Sequence, residues 1–270
     1  MIGQAQNYFY TRQYDLAEPY FQRAIALASD VPYYHRWATW FYLTWDGTTD
    51  RAHSLLQRAF YRIDPAQLLV GSEASWIILN VFGADYAPTL ERMTADQPGV
   101  DSAYYYLAKA HVNGRLGQED IARTYYDSAR IVLEARLGGE PQHLVPHNAL
   151  GIAYAGLGER ESAIRQGQLG VQLLSVSRDA VIGPTRVIDL ARIYVMVGEY
   201  EAAIDQVEYL LSIPAPISRA LLRVDPFWDP LRSYARFQTL VESSGAEEEG
   251  GTDESGPTRR TVTRAATTRS

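Results

Sequence analysis

The sequence predicts an all-α protein built from helical hairpins that stack side by side, and three observations support this fold class. Alanine recurs at regular intervals, each alanine lies in a segment with helical periodicity, and short polar or glycine-bearing breaks separate these segments. Leu, Ala, Arg, Glu and Gln dominate, and the period-2 alternation typical of strands is absent. We therefore expect about six helix-turn-helix units.

The alanines are expected to mark equivalent positions in the second helix of each unit. The first four are 35 residues apart, and the last two steps are 41 and 40 residues, which fits a longer second helix and longer connections. The breaks DGTTD, FGAD, RLGQED, GLGE and MVGE are the predicted turns of the second to sixth units. The six positions are Ala17, Ala52, Ala87, Ala122, Ala163 and Ala203.

The segment HNALGIAYAGLGERESAIRQG, residues 147–167, shows why such small residues are needed. A glycine inside a helix costs about 1 kcal/mol relative to alanine, so each one requires a packing or turn-forming reason. We expect Gly151 and Ala163 to lie where the two helices of one hairpin cross closely, and Gly158 to form the turn between them.

The spacing of these residues resembles the tetratricopeptide repeat (TPR). The resemblance covers about residues 4–215 and implies a right-handed superhelical solenoid whose first helices line a concave groove. The second and third units are degenerate, with Trp40 and Ser75 at a position that is normally small and Glu91 where an aromatic residue is usual. The fifth unit matches best, through Leu150, Gly151, Tyr154, Gly158 and Ala163.

The stretch LLRVDPFWDPLRSYARFQTLVE, residues 221–242, resembles the closing segment of TPR arrays in large bacterial signalling proteins, including serine/threonine kinases. Asp229 is expected to cap a helix that has Pro230 in its first turn. A C-terminal capping helix of this kind would cover the last hairpin of the array. The N-terminus shows no such covering helix, so that face is expected to be uncovered. The apolar stripe of the capping helix would be Leu231, Tyr234, Phe237 and Val241.

Two regions follow from this organisation. Residues 1–242 form the helical repeat domain, with its terminal cap from about residue 221. Residues 243–270 contain almost no large apolar side chain and are predicted to be a disordered polar tail.

Composition excludes several classes of function. There are no cysteines, which excludes disulfides and thiolate metal sites and leaves the compartment open, with the cytoplasm as the default. No apolar run is long enough to span a membrane, and the net charge of -7, with Lys109 as the single lysine, argues against nucleic acid. Catalytic and metal-binding motifs are absent from the sequence. Pro146 also argues against a shared helical face for His143 and His147, so we expect no enzyme activity, cofactor or metal.

Aromatic residues are the feature that points to binding. In YYHRWATWFYLTWDG, Trp37, Phe41 and Trp45 recur every four positions and share one helical face. Two interpretations stay open: this face lines the concave groove and binds a peptide, or its rings pack in the core. The candidate groove residues are Phe9, Trp37, Phe41, Trp45, Trp76, Tyr105, Lys109, Asn148 and Arg192.

The expected function is therefore a scaffold that binds a protein or peptide, as the regulatory or interaction part of a bacterial signalling protein. The mixture of rings, one ammonium, one amide and one guanidinium in the candidate groove suits a hydrophobic segment with some acidic character. The alternative is a homo-oligomerisation scaffold that acts through the uncovered N-terminal face.

Overall fold

The structure is a computed structural model that describes residues 1–71, 73–139 and 146–242, without the side chains of residues 73 and 74. The predicted polar tail, residues 243–270, lies outside the described residues. Within the described ranges the protein is all-α, with fourteen α-helices, one 3-10 helix and no strand. None of the described helices combines the length and apolar character that crossing a membrane requires.

The helices follow one another along the chain from Ile2 to Glu242. They are α1 Ile2–Tyr10, α2 Tyr14–Leu27, α3 Pro32–Asp46, α4 Asp50–Ala59, α5 Pro65–Leu69, α6 Glu73–Glu91, α7 Ser102–Arg115, α8 Glu119–Gly139, α9 His147–Leu157, α10 Arg160–Leu173, α11 Gly183–Met196, α12 Tyr200–Ser212, α13 Arg219–Val224, the 3-10 helix Pro226–Leu231 and α14 Ala235–Glu242.

Five pairs of helices are joined by only two or three residues and pack on each other: α1 with α2, α3 with α4, α7 with α8, α9 with α10, and α11 with α12. Each of these short turns contains one residue with a positive φ, the left-handed conformation that favours glycine. Four of the five are glycines and the first is an arginine: Arg12 (58°), Gly47 (63°), Gly117 (73°), Gly158 (81°) and Gly198 (79°).

The third unit differs from the prediction. The turn expected at FGAD is absent, because α6 continues without a break from Glu73 to Glu91. Gly83, the glycine of that stretch, does not adopt a positive φ. A Cβ atom at Gly83 would lie 3.1 Å from Cγ2 of Val112, so the glycine serves close packing of α6 on α7 rather than a turn. The short helix α5 precedes α6 instead.

The six alanines are all buried. Five of them lie in the second helix of a pair, whereas Ala87 lies in the second half of the unbroken helix α6. The crossing of α9 and α10 is as close as expected: a Cβ atom on Gly151 would lie 3.0 Å from the carbonyl oxygen of Ala163. The structure therefore shows the predicted close crossing at Ala163, whereas Ala87 lies in a unit without a hairpin turn.

The C-terminal segment, residues 213–242, does not simply cover the last hairpin. The backbone N–H of Ala215 donates to the carbonyl oxygen of Tyr10 (3.1 Å), and the Ser218 hydroxyl donates to the carbonyl oxygen of Thr44 (2.5 Å). Helix α13 packs on α3, and the 3-10 helix touches α6, α11 and α12. The segment thus joins the first three units to the last one.

The N-terminal hairpin, expected to be uncovered, also contacts the end of the array. The Tyr10 hydroxyl donates to the carbonyl oxygen of Val181 (2.7 Å), and the Arg12 guanidinium donates to three carbonyl oxygens at the end of α12. These contacts join residues about 170 to 200 positions apart, so the row of helices closes on itself.

The start of the predicted cap also requires correction. Asp225, rather than Asp229, is the capping residue: its carboxylate accepts from the N–H of Phe227 at 3.0 Å and begins the 3-10 helix. Asp229 lies inside that helix, and α14 begins only at Ala235. The predicted apolar stripe is largely buried, with Leu231, Phe237 and Val241 in the core and Tyr234 half-buried.

Candidate functional site

The aromatic residues of the first two units lie in the core. Phe9 and Phe41 are fully buried and Trp37 is 5% exposed. Their rings pack edge to face, with centroids 5.6 Å apart for Phe9 and Phe41 and 6.5 Å apart for Phe9 and Trp37. Such aromatic pairs stabilise a core beyond the apolar area that they bury. Of the two interpretations of this helical face, core packing describes its position.

Trp45 is the most accessible of these four rings, yet it is also engaged. It is half-buried and stacks on Tyr14 with a centroid distance of 6.0 Å. The guanidinium of Arg51 lies 4.6 Å from the Trp45 ring centroid, at a distance typical of a cation–π contact.

The C-terminal segment explains why these rings are not exposed on an open face. Helix α13 lies against α3, and Ala220 of α13 is close to the turn that follows α3. A Cβ atom placed on Gly47 in that turn would lie 3.1 Å from the Cβ atom of Ala220. Trp228, Leu222 and Leu231 are each almost completely buried. The inner side of the first three units is therefore filled by the chain itself.

A buried polar cluster lies where this segment meets α6 and α7. Asp225, fully buried, accepts a hydrogen bond from Nδ2 of Asn80 (3.3 Å). Burial raises the pKa of Asp225, although Arg192 opposes this effect. The ring of His111 packs 4.5 Å from that of Trp76 and carries a buried Nε2 without a hydrogen-bond partner. Burial, aided by Arg115 and Arg192, lowers the pKa of His111 to about 3, so this imidazole is neutral.

Three other predicted groove residues, Tyr105, Lys109 and Arg192, are also buried. Arg192 is 1% exposed and donates to Oδ1 of Asp189 at 3.1 Å. Lys109 is 6% exposed, and its Nζ lies 5.9 Å from the ring centroid of Tyr105 and 5.5 Å from that of Tyr125. Burial lowers the pKa of Lys109. These side chains serve the interior rather than an open surface.

Among the described residues, an open depression lies beside α7, α9 and α11, and we name it the inner groove. It has two parts that share Tyr104 and Arg186. The polar pocket has a volume of about 300 Å³, and the apolar slot beside it has about 30 Å³. The polar pocket is lined mainly by Asp101, Tyr104, Arg136, His147, Asn148 and Arg186, and the apolar slot by Trp76, Tyr104, Leu107, Ala149, Ile152 and Asp189.

The inner groove is built by the first helices of three successive pairs. Tyr104 and Leu107 project from α7, Ala149 and Ile152 from α9, and Arg186 from α11. Because residues three or four apart share one side of a helix, these pairs form a continuous surface. Of the nine candidate residues, only Trp76 and Asn148 line this groove.

The floor of the polar pocket is fixed by buried polar side chains. Asn148, 1% exposed, donates from Nδ2 to the carbonyl oxygen of Arg186 at 3.0 Å. A side chain at Gly170 would overlap Oδ1 of Asn148, so the glycine makes room for this amide. His147, 3% exposed, donates from Nδ1 to Oε1 of Gln166 at 2.7 Å.

The wall of the polar pocket carries positively charged and negatively charged side chains. Arg136, near the end of α8, donates to Oδ1 of Asp101 at 2.9 Å, and the two side chains are 25% and 37% exposed. Oδ1 of Asp101 also caps α7 by accepting from the N–H of Ala103 at 2.9 Å. Arg186 lies 3.7 Å from Asp189 at the boundary of the slot. The polar pocket can therefore present both hydrogen-bond donors and hydrogen-bond acceptors to a bound molecule.

Sequence reasoning missed Tyr104, Arg136 and Arg186. Tyr104 is the neighbour of the candidate Tyr105, so the predicted face of α7 was displaced by one residue. Arg136 projects from the extra length of α8, and the 41-residue step after Ala122 was the signal for that extension. Arg186 stands six residues before the candidate Arg192, about one and two-thirds helical turns nearer the start of α11.

Comparisons with known proteins leave the family of the chain open. The chain matches no family model, and neither a curated protein nor a solved structure is similar to it at a level that indicates common ancestry.

Proposed function

We propose that the protein is a TPR-like scaffold that binds a peptide segment of a partner protein in the inner groove. The right-handed solenoid and the count of about six repeats belong to the same proposal. The regular alanine spacing and the five short turns with a left-handed residue support them.

One observation carries the proposal. The C-terminal segment fills the inner side of the first three units, whereas the inner side of α7, α9 and α11 retains an open groove. Concave sites with a few fixed polar groups beside an apolar part are where proteins bind ligands. The groove lies on the side of the repeats where a peptide would run across successive first helices.

The chemistry of the groove suits a short mixed peptide. The apolar slot, with Leu107, Ala149 and Ile152, fits a small apolar side chain. The polar pocket beside it presents guanidinium and carboxylate groups to the polar part of the same peptide. Tyr104 lies at the junction of both parts and contributes a rigid ring, the kind of residue that often dominates binding energy.

Selection from a random peptide display library against the full chain tests the proposal. We expect enriched peptides that share a small apolar residue beside a charged one and bind with a measurable Kd in fluorescence anisotropy. Tyr104→Ala should weaken this binding about tenfold or more, because truncating such a residue typically costs over about 1 kcal/mol.

Tyr125→Ala provides the matched control. Tyr125 is also a half-buried tyrosine, but it lies on α8 and lines neither part of the groove. Equal loss of binding in both variants, or no enrichment of any peptide, would contradict binding in the inner groove.

The homo-oligomerisation alternative is kept for one reason. Leu16 and Leu27 on α2 are 51% and 69% exposed, so the first hairpin presents apolar side chains to solvent. Light scattering at micromolar concentration distinguishes the two functions, because the mass of a monomer would contradict the homo-oligomerisation alternative. The assignment to a bacterial signalling protein rests on the resemblance of residues 221–242 alone.

A further inference from the structure

The polar pocket has the properties of a small-molecule site as well as those of a peptide groove. Its volume of about 300 Å³ lies at the lower end of the range of ligand pockets, about 300–1,000 Å³. Its floor is fixed by Asn148 and His147, which are 1% and 3% exposed and are both held by hydrogen bonds. A pocket whose polar floor is already ordered needs little reorganisation to bind a small molecule.

The pair formed by Arg136 and Asp101 determines which small molecule fits. Both side chains line the pocket, and both are partly exposed, at 25% and 37%. Ion pairs of this exposure contribute little to stability, so a solute that carries both charges can replace the contact at little cost. The carboxylate of the solute would accept hydrogen bonds from the guanidinium of Arg136, and its ammonium would donate to the carboxylate of Asp101.

Further groups favour the carboxylate end of such a molecule. Arg186 lines the pocket with a second guanidinium, and the pocket lies beside the first residues of α7, α9 and α11. The start of a helix carries a partial positive charge, which stabilises an anion nearby. Leu173 and Leu174 give the pocket a small apolar wall against which a side chain can pack.

We propose that the polar pocket binds a small zwitterionic molecule of the amino-acid class, with its carboxylate toward Arg136 and Arg186 and its ammonium toward Asp101. This inference does not rest on peptide binding, and a free amino acid would compete with a peptide for the polar pocket.

Titration calorimetry on the full chain with three sets of probes tests the proposal. The sets are free L-amino acids, their N-acetyl derivatives, which retain only the negative charge, and their methyl esters, which retain only the positive charge. We expect at least one free amino acid to bind, with both blocked forms of that amino acid weakened about tenfold or more, since each lacks one charged hydrogen bond.

Two variants locate the site. Arg136→Gln should weaken the free amino acid by about tenfold while leaving its ester unchanged, and Asp101→Asn should weaken the free amino acid while leaving its N-acetyl form unchanged. Asparagine keeps the helix cap of α7, so Asp101→Asn is expected to fold. The matched controls are Arg130→Gln and Asp127→Asn, which break a comparable ion pair on α8 outside the pocket.

Three outcomes would overturn the proposal. The first is that no free amino acid produces heat of binding at millimolar concentration. The second is that an N-acetyl form binds as tightly as the free amino acid, which would indicate an anion site. The third is an equal effect of the pocket variants and the α8 controls. Failure of peptide selection with successful amino-acid binding would remove the proposed function while leaving this inference intact.

Discussion

The guanidinium of Arg12 donates a hydrogen bond to the carbonyl oxygen of Leu211 at 2.9 Å and so connects the turn of the first helix pair to the end of the last. The same side chain also reaches the carbonyl oxygens of Leu210 and Ile213. These carbonyls belong to the end of α12, where helical hydrogen bonds run out. Arg12 therefore supplies donors that the helix itself lacks, and it helps to close the row of helices.

Arg12→Ala is predicted to destabilise the protein by about 2 kcal/mol, because charge-assisted hydrogen bonds to the end of α12 are lost. Arg12→Gly should cost about 1 kcal/mol less, since residue 12 has a φ of 58° and glycine adopts this conformation without a steric penalty. Urea unfolding followed by circular dichroism measures both. Arg23→Ala, at an exposed position on α2, is the control and should be close to neutral.

Ala163→Leu is predicted to destabilise by about 1–3 kcal/mol through overpacking. Ala163 is fully buried at the crossing of α9 and α10, where the backbone of Gly151 approaches closely. The same substitution at Ala135, exposed on α8, should be close to neutral. Thermal unfolding compares the two, and equal effects would contradict the assignment of Ala163 to a tight crossing.

Trp37→Ala is predicted to cost about 3–5 kcal/mol, the range for removing a large aromatic side chain from a core. Trp37 is 5% exposed and contacts the rings of Phe9, Tyr10 and Trp40. Tyr61→Ala, at an 89% exposed ring, should change stability little. A Trp37→Ala variant that is as stable as the natural chain but binds peptide more weakly would instead indicate that this ring belongs to the binding surface.

The stability of the protein should fall as the pH drops below about 6.5, with His111 as one cause. The folded state holds the pKa of His111 near 3, below its ordinary value of 6.5, so only the unfolded chain takes up a proton in this window. The stability contributed by His111 is complete above pH 6.5 and decreases by about 1.4 kcal/mol per pH unit as the pH falls toward 3.

Between pH 6.5 and about pH 5, the free energy of unfolding of His111→Gln should therefore fall by about 2 kcal/mol less than that of the natural chain. Urea unfolding at both pH values measures the difference. Nuclear magnetic resonance of the imidazole protons checks the cause, since a His111 signal that titrates near pH 6.5 in the folded protein would refute the assignment.

The repeat pattern of the sequence predicts most of the helix positions and the close crossing of α9 with α10. Ala163 and Gly151 were located correctly because the demand for a small side chain at a close crossing is local. The continuous helix α6 was not foreseen, because Gly83 can serve either a turn or a packing contact and only Val112, on another helix, decides between them.

The site was harder to predict for the same reason. Periodicity shows that Trp37 and Phe41 face one direction, but it does not show which segment lies opposite. That segment begins about 170 residues later in the chain, and in the described part of the protein it leaves a groove open beside α7, α9 and α11. Tyr104 and Arg136 acquire their role from this arrangement rather than from any local motif.

The hydrogen bond between Tyr10 and Ala215 also bears on synthesis, since about 200 residues separate the two partners. At a typical elongation rate of about 5–20 residues per second, the ribosome needs on the order of 10–40 s to deliver the second partner. During that interval Phe9, Trp37 and Phe41 have emerged without the segment that will bury them. A nascent chain halted before residue 213 is therefore expected to engage chaperones, and the completed chain to release them.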